Sequence, residues 1–199
     1  MRVLVVGASG RLGRAVVSAL SERHDVLEAS RTSAHYVDLR NSASIAGLYS
    51  SIGTVDAVAC TAGKTPYGAL TELTSDQWLT GVRDKLLGQV ELVRLGIDHV
   101  SDAGSFTLVS GVLSVEPVLT GGVASTVDGA IDAFVRSAAI ELPRGLRANA
   151  VSATVFEEAW DAYGAMFAGA TPVPVAEVAR AYVESIEGAR NGQVFRVGY

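Results

Sequence analysis

The stretch that decides the fold is Val5-Val6-Gly7-Ala8-Ser9-Gly10-Arg11-Leu12-Gly13. Before it, Arg2 to Val6 is an apolar, β-branched run, which predicts a buried strand. After it, Leu12, Val16, Val17 and Leu20 recur at helical spacing up to Arg23. Three glycines join the two elements. Gly7 permits a tight turn, Gly10 has no side chain to hold a phosphate away from the backbone, and Gly13 lets the helix pack close to the strand. The start of the helix then offers free N–H groups and a partial positive charge to an anion such as a diphosphate. Three glycines alone are a weak signal. The strand before them and the helix after them supply the context that makes the signal specific.

Outward from this turn, short β-branched runs alternate with longer helical patterns. Strands are expected at Asp25 to Ala29, His35 to Val37, Val55 to Cys60, Ser105 to Val109, Arg147 to Val151 and Gln193 to Val197. Helices are expected around Ser42 to Ser50, from Asp76 to His99 as one long helix, from Val127 to Leu142, and from Pro174 to Ile186. Such alternation means parallel pairing with right-handed crossovers. The expected architecture is a single doubly wound α/β domain of Rossmann type over residues 1–199, with about seven parallel strands. Sheets of this kind bind ligands at the carboxyl ends of their strands.

Composition narrows the function. The chain has 199 residues, enough to bury a core without disulfides, and is 49% hydrophobic, which fits a sheet covered on both faces. A net charge of −5 without a basic run argues against a nucleic-acid partner. No apolar run reaches the roughly 20 residues that a membrane span needs. The single cysteine, Cys60, fits a reducing compartment, so a cytoplasmic protein is expected. His24, His35 and His99 are scattered, and no metal site is expected.

The end of the second strand bears on the choice of dinucleotide. A site for NAD usually places an acid there to hold the ribose 2′-hydroxyl. This chain has Ser30 and Arg31, with Arg11 in the glycine turn as a second cation. A guanidinium can grip a 2′-phosphate with two hydrogen bonds. NADP(H) is therefore the preferred cofactor, and NAD(H) the alternative if both arginines are merely solvated.

These residues, taken in order, resemble the short-chain dehydrogenase/reductase family over nearly the whole chain. Gly7, Ser9, Gly10, Arg11, Leu12 and Gly13 are similar to its cofactor turn, although Arg11 stands where the family's middle glycine is usual. Asp38-Leu39 resembles its adenine-contacting pair, and Cys60-Thr61-Ala62-Gly63 its Asn-Ala-Gly stretch. The passage from Glu141 to Ser152 and the closing Gly192-Gln193-Val194 also match. The resemblance implies hydride transfer between nicotinamide and a carbonyl or alcohol substrate. It also implies a homodimer or homotetramer built on the two long helices.

The family's chemistry uses an Asn, a Ser and a Tyr-x-x-x-Lys pair, and here the pattern departs. Anchored on Phe134-Val135-Arg136 and Glu141-Leu142, the Tyr position falls on Ala124 and the Lys position on Asp128. The Asn position falls on Lys85, and the Ser position on Ser110 or Gly111. An ammonium at Lys85 and a carboxylate at Asp128 would face one another across the cleft. Ser110, Lys85 and Asp128 are therefore the catalytic candidates. Ser110 would donate to the substrate oxygen, Lys85 would act as the acid, and Asp128 would hold ribose hydroxyls. The chain has only two lysines, Lys64 and Lys85, and both fall at expected cleft positions. The plain alternative makes them solvated surface residues. Tyr67 and Tyr163 are expected as packing residues, and Trp160 to Phe167 as part of a short substrate lid near residues 155–174. Loss of the Tyr-Lys pair keeps two other readings open. One is a non-redox isomerase, dehydratase or cyclase, and the other a silent nucleotide-binding sensor or scaffold.

Overall fold

A computed structural model describes residues 1–199. Its elements in chain order are β1 (Arg2–Val6), α1 (Arg11–Ser21), β2 (Asp25–Ser30), β3 (His35–Tyr36), α2 (Ser42–Ile52), β4 (Val55–Cys60), α3 (Ser75–Gly81) and α4 (Gly88–Gly96). They continue with β5 (Val100–Val109), α5 (Gly122–Glu141), β6 (Arg147–Ala153), α6 (Trp160–Tyr163), α7 (Val175–Glu187) and β7 (Val194–Val197). All seven strands form one parallel sheet in the order β3-β2-β1-β4-β5-β6-β7. The chain winds outward from β1 to β3, then returns to the other side of β1 with β4. That reversal opens a crevice above the carboxyl ends of β1 and β4.

Alternation along each strand feeds two cores, one on each face. Leu4, Val6, Val58 and Cys60 meet Ile45, Leu92, Val127 and Ile131 on the face covered by α2, α4 and α5. Val3, Val5, Ala57 and Ala59 meet Leu12, Val16, Val178 and Tyr182 on the face covered by α1 and α7. Tyr182 is fully buried, and its hydroxyl donates to the Cys60 carbonyl at 2.8 Å. This bond ties the last helix to the tip of β4, beside the crevice.

Most strand and helix ends fall within one or two residues of the sequence expectation, and three differences are larger. Asp76 to His99 is helical throughout, but not as one α-helix: Val82–Leu87 winds as a π-helix and Ile97–His99 as a 3₁₀ turn. The Gly88 N–H reaches back to the Arg83 carbonyl, five residues earlier. The apolar spacing is too coarse to reveal the one extra residue in that turn. Helix α5 begins at Gly122 rather than Val127, because its first turn buries Val123 and Ala124. Strand β5 begins at Val100, since an irregularity in its pairing with β4 carries the ladder past Gly104.

Candidate active site

The glycine turn is built as its spacing requires. Gly7 takes φ +89°, in the left-handed region, and a Cβ there would lie 2.8 Å from both Thr61 and Ala62. A Cβ at Gly13 would fall 2.1 Å from the Gly7 carbonyl oxygen, so the helix sits closer to the strand than any side chain allows. Gly10 caps α1 without a side-chain hydrogen bond, and the first turn carries no acid. Its amides are therefore left to an external acceptor. Arg14 Nη1 donates to the Ser9 carbonyl at 2.5 Å and holds the turn in place.

A groove of about 280 Å³ runs from this turn across the ends of β1, β2 and β4. Gly7, Ser9 and Gly10 form one end of it, and Ser30, Arg31 and Thr32 line another stretch. Asp38, Leu39 and Arg40 lie along a further wall. Ala62, Gly63, Lys64 and Asp84 continue it toward β5. Of the residues expected at the cofactor, Arg11 is exposed at the helix start, whereas Leu12 and Gly13 are buried beneath the groove. Cys60 is fully buried, and its thiol lies 3.5 Å from the Ala62 carbonyl. Burial pushes that thiol up to about 12, so its part is packing.

Three groove residues escaped the sequence reading. Arg40 grips Asp38 with two hydrogen bonds, Nε to Oδ1 at 3.0 Å and Nη2 to Oδ2 at 2.7 Å. That fork lowers the Asp38 carboxyl to about 2. Thr32 lies near Ser30, whose Oγ accepts from the Thr32 N–H at 3.0 Å. Asp84 lines the groove beside Lys64, and burial raises its carboxyl against the lowering pull of Arg40. The two-residue spacing of Asp38 and Arg40 was the one available signal.

Beyond the groove, the π turn and α5 bring the catalytic candidates together. Lys85 Nζ lies 2.5 Å from Asp128 Oδ1, and both side chains are almost fully buried. Lys85 Nζ also donates to the Ser110 carbonyl at 3.2 Å. Burial raises the Asp128 carboxyl, the Lys85 charge opposes this, and Asp132 raises it further. Ser110 is 4% exposed, and its Oγ has no protein partner. Gly111 has no room for a side chain, because its Cβ would lie 2.7 Å from Asp128 Oδ2.

Lys85 is held from two further sides. Gly63, at φ +139°, approaches so closely that a Cβ would lie 2.6 Å from Lys85 Cγ. Gln89 is fully buried, and its Nε2 donates to the Lys85 carbonyl at 3.0 Å and to the Val109 carbonyl at 2.9 Å. Gln89 Oε1 accepts from the Val109 N–H at 2.8 Å. This one side chain locks the π turn to the end of β5. A glutamine among helix residues gave no sequence signal for that role. π turns recur at functional sites because the extra residue shifts a side chain out of α register.

The remaining candidates stand apart. Ala124, at the family's Tyr position, packs with Val112 and Leu113. Tyr67 and Tyr163 are partly exposed. Burial raises the Tyr67 hydroxyl, and the Asp128 charge adds to the rise. Helix α3 is capped by Thr74, in a reciprocal capping box with Gln77, and Asp76 lies in its first turn. No cluster of acids, cysteines and histidines could hold a metal ion.

With this geometry in view, comparison with known proteins places the chain. It belongs to the short-chain dehydrogenase/reductase family: a family model described as Enoyl-(Acyl carrier protein) reductase matches residues 2–171. The protein lin1944 from Listeria innocua has a crystal structure 44% identical to this chain, with a TM-score of 0.97 and 98% of each chain covered. A small-chain dehydrogenase crystallised with NADPH is 25% identical, with a TM-score of 0.89, covering 99% of this chain and 96% of the other. Two Mycobacterium tuberculosis proteins, each described as an uncharacterized NAD-dependent oxidoreductase, are 30% identical over 148 residues, or 70% of this chain. The chain spans about half the length of these curated relatives, 52%. No helix is long and apolar enough to cross a membrane.

Proposed function

We propose that the chain is an NADP(H)-dependent oxidoreductase acting on a carbonyl or alcohol substrate, with a lysine–aspartate pair where the family uses tyrosine and lysine. The observation that carries this reading is the 2.5 Å Lys85–Asp128 contact, beyond the groove that holds the glycine turn and next to Gly63, which lines that groove and packs on Lys85. The residues present fit the cofactor. The uncapped amides after Gly10 would take the diphosphate, Arg31 and Thr32 the 2′-phosphate, and Asp38 with Leu39 the adenine. NADP(H), when bound, supplies or accepts the hydride. Ser110 Oγ, buried and unpartnered, would donate to the substrate oxygen. Lys85 would give that oxygen its proton, and Asp128 would hold Lys85 in place and accept from the ribose hydroxyls. The segment of residues 155–174 would cover the substrate, and the preference for NADP(H) rests on the lack of any acid at Ser30-Arg31-Thr32.

The test is NADPH consumption against a panel of ketones and quinones, with Lys85→Ala beside the parent. The parent is expected to turn over and the variant to lose at least about a hundredfold in kcat/KM, the usual worth of a proton-transfer group. Equal turnover in the two would remove Lys85 from the mechanism.

One observation favours a second reading, a non-redox enzyme or a nucleotide-binding protein without turnover. Ala124 offers a buried methyl at the position where the family's hydroxyl would stand. Tight NADPH binding without oxidation on any carbonyl would support it.

An apolar groove of about 260 Å³ lies between α4 and α5, lined by Val90, Val93, Ile97, Phe134, Ala138 and Leu142. Its place on the two long helices supports a homodimer or homotetramer. Sedimentation as a monomer at micromolar concentration would refute that.

A further inference from the structure

Five buried side-chain polar atoms have no partner in the protein, and four of them belong to Ser110, Ser114, Ser125 and Asp132, while Asp128 Oδ1 beside them has only its salt bridge to Lys85. Buried polar atoms are rarely left so, and their concentration in one place is informative. Ser110 and Ser114 bracket the short turn after β5, which packs on α5. Ser125, Asp128 and Asp132 share one face of α5, at positions i, i+3 and i+7. The carboxylates of Asp128 and Asp132 are therefore neighbours one helical turn apart, and Asp132 is only 7% exposed.

Tyr199 approaches this face from the end of the chain. Its ring packs against Val112, Leu113 and Ala124. Its hydroxyl lies 2.5 Å from Ser152 Oγ, and Ser152 is itself fully buried. Tyr199 is half-buried, so its ring spans from the inner cluster to the surface. Burial raises its hydroxyl, and the Asp132 charge raises it further. Lys85 from the π turn and Tyr67 from the loop after β4 face Asp128. Arg196 lies over the Tyr199 ring, 5.8 Å from its centroid. Lys85 is the cation paired with Asp128, and no salt bridge reaches Asp132.

We propose that Asp132 and Tyr199 carry protons between solvent and the Lys85–Asp128 pair, with Ser114 and Ser152 as hydroxyl partners on the way. The inference rests on the oxidoreductase reading, in which each carbonyl reduced takes one proton from Lys85. Tyr199 and its hydroxyl partners then pass a solvent proton to Asp132, which hands it to the Asp128 carboxylate, and Asp128 returns it to the neutral amine of Lys85. Every relay group accepts one proton and releases one, so the net change is one solvent proton consumed per carbonyl reduced. Asp132 and Tyr199 touch neither substrate nor cofactor in this scheme.

The experiment has two arms, with Asp132→Asn and Tyr199→Phe as variants that keep shape. The first arm needs no substrate. Carbon-13 NMR of aspartate-labelled protein follows the carboxyl titrations in parent and variants. In the parent, Asp128 is expected to titrate above the ordinary carboxylate range, raised by burial and by the Asp132 charge. In Asp132→Asn, Asp128 is expected to titrate once, at lower pH. An Asp128 titration unchanged by Asp132→Asn would overturn the relay. The second arm measures NADPH oxidation against pH and buffer concentration. Each variant is expected to slow by about tenfold or more at high pH, with NADPH affinity kept and the rate restored by a small external acid such as imidazole. Parent-like rates at every pH, or a loss that no buffer restores, would refute the proposal. If the parent oxidises no NADPH, the oxidoreductase reading fails by itself, and the titration still decides whether the two carboxylates are coupled.

Discussion

The Asp128 carboxylate occupies the space that a side chain at residue 111 would need: Oδ2 lies 2.7 Å from where a Gly111 Cβ would stand. Gly111 has an extended backbone, φ 177°, so glycine is required there by space and not by conformation. Gly63 makes the matching allowance for Lys85. The two glycines and the two charged residues form one arrangement.

Gly111→Ala is expected to displace Asp128 and break its contact with Lys85. A displacement on the order of 1 Å can lower turnover about a hundredfold. NADPH affinity, set in the groove, should hold to within about threefold, a change worth less than 1 kcal/mol. Steady-state kinetics and calorimetry on the variant check both. Unaltered turnover would show that the pair tolerates disorder.

Gln89→Leu keeps the volume but removes the partners of the Val109 N–H and carbonyl at the end of β5. Each buried group left unpaired costs about 1–3 kcal/mol, so a loss of about 2–4 kcal/mol in unfolding free energy is expected. Denaturant unfolding measures it. A loss below about 1 kcal/mol, the scale of a single net hydrogen bond, would mean that the lock is dispensable.

Arg31→Ala should weaken NADPH binding about tenfold to a hundredfold, the worth of a charge-assisted hydrogen bond, while NADH affinity moves little. Titration of both nucleotides decides the matter. Equal losses for the two would assign Arg31 to the shared part of the cofactor and end the preference for NADP(H).

Acid should release the Asp38–Arg40 fork. The folded carboxyl sits at about 2, below the ordinary aspartate value of 3.8, so the unfolded chain binds its proton first. The fork's contribution is complete above the unfolded value and lost as pH falls toward 2. Arg40 is half-exposed, so solvent screening keeps that contribution small. Arg40→Gln should therefore be slightly less stable than the parent at pH 6, with the gap closing between pH 4 and pH 2. Denaturant midpoints across that range test it, and a gap that is constant with pH would disprove the assignment.

The fold was legible because its signals are periodic. The turn from Gly7 to Gly13, the strand–helix alternation and the two apolar faces of each strand all follow from spacing alone. Lys85 and Asp128 were legible as a pair because each stands at a position where the family carries a different residue type. What lay hidden depends on distance in space. No periodicity shows that Lys85 rides on a π turn, since that takes one residue more than the apolar pattern resolves. Nothing in the chain order links Gln89 to Val109, or Tyr199 to Ser152, because partners 20 and 47 residues apart meet only in the folded sheet. Asp132 was within reach of the sequence, four residues after Asp128 on the same helix.

The bond from Tyr182 to the Cys60 carbonyl joins residues 122 positions apart. Until α7 is made, Val3, Val5, Ala57 and Ala59 are covered on their side of the sheet by α1 alone. A nascent chain on the ribosome therefore exposes sticky, half-finished sheet through most of its synthesis and closes it only at the last helix. Ribosome stalling or proteolysis ahead of α7 would leave a fragment that retains the whole glycine turn yet is fated to aggregate.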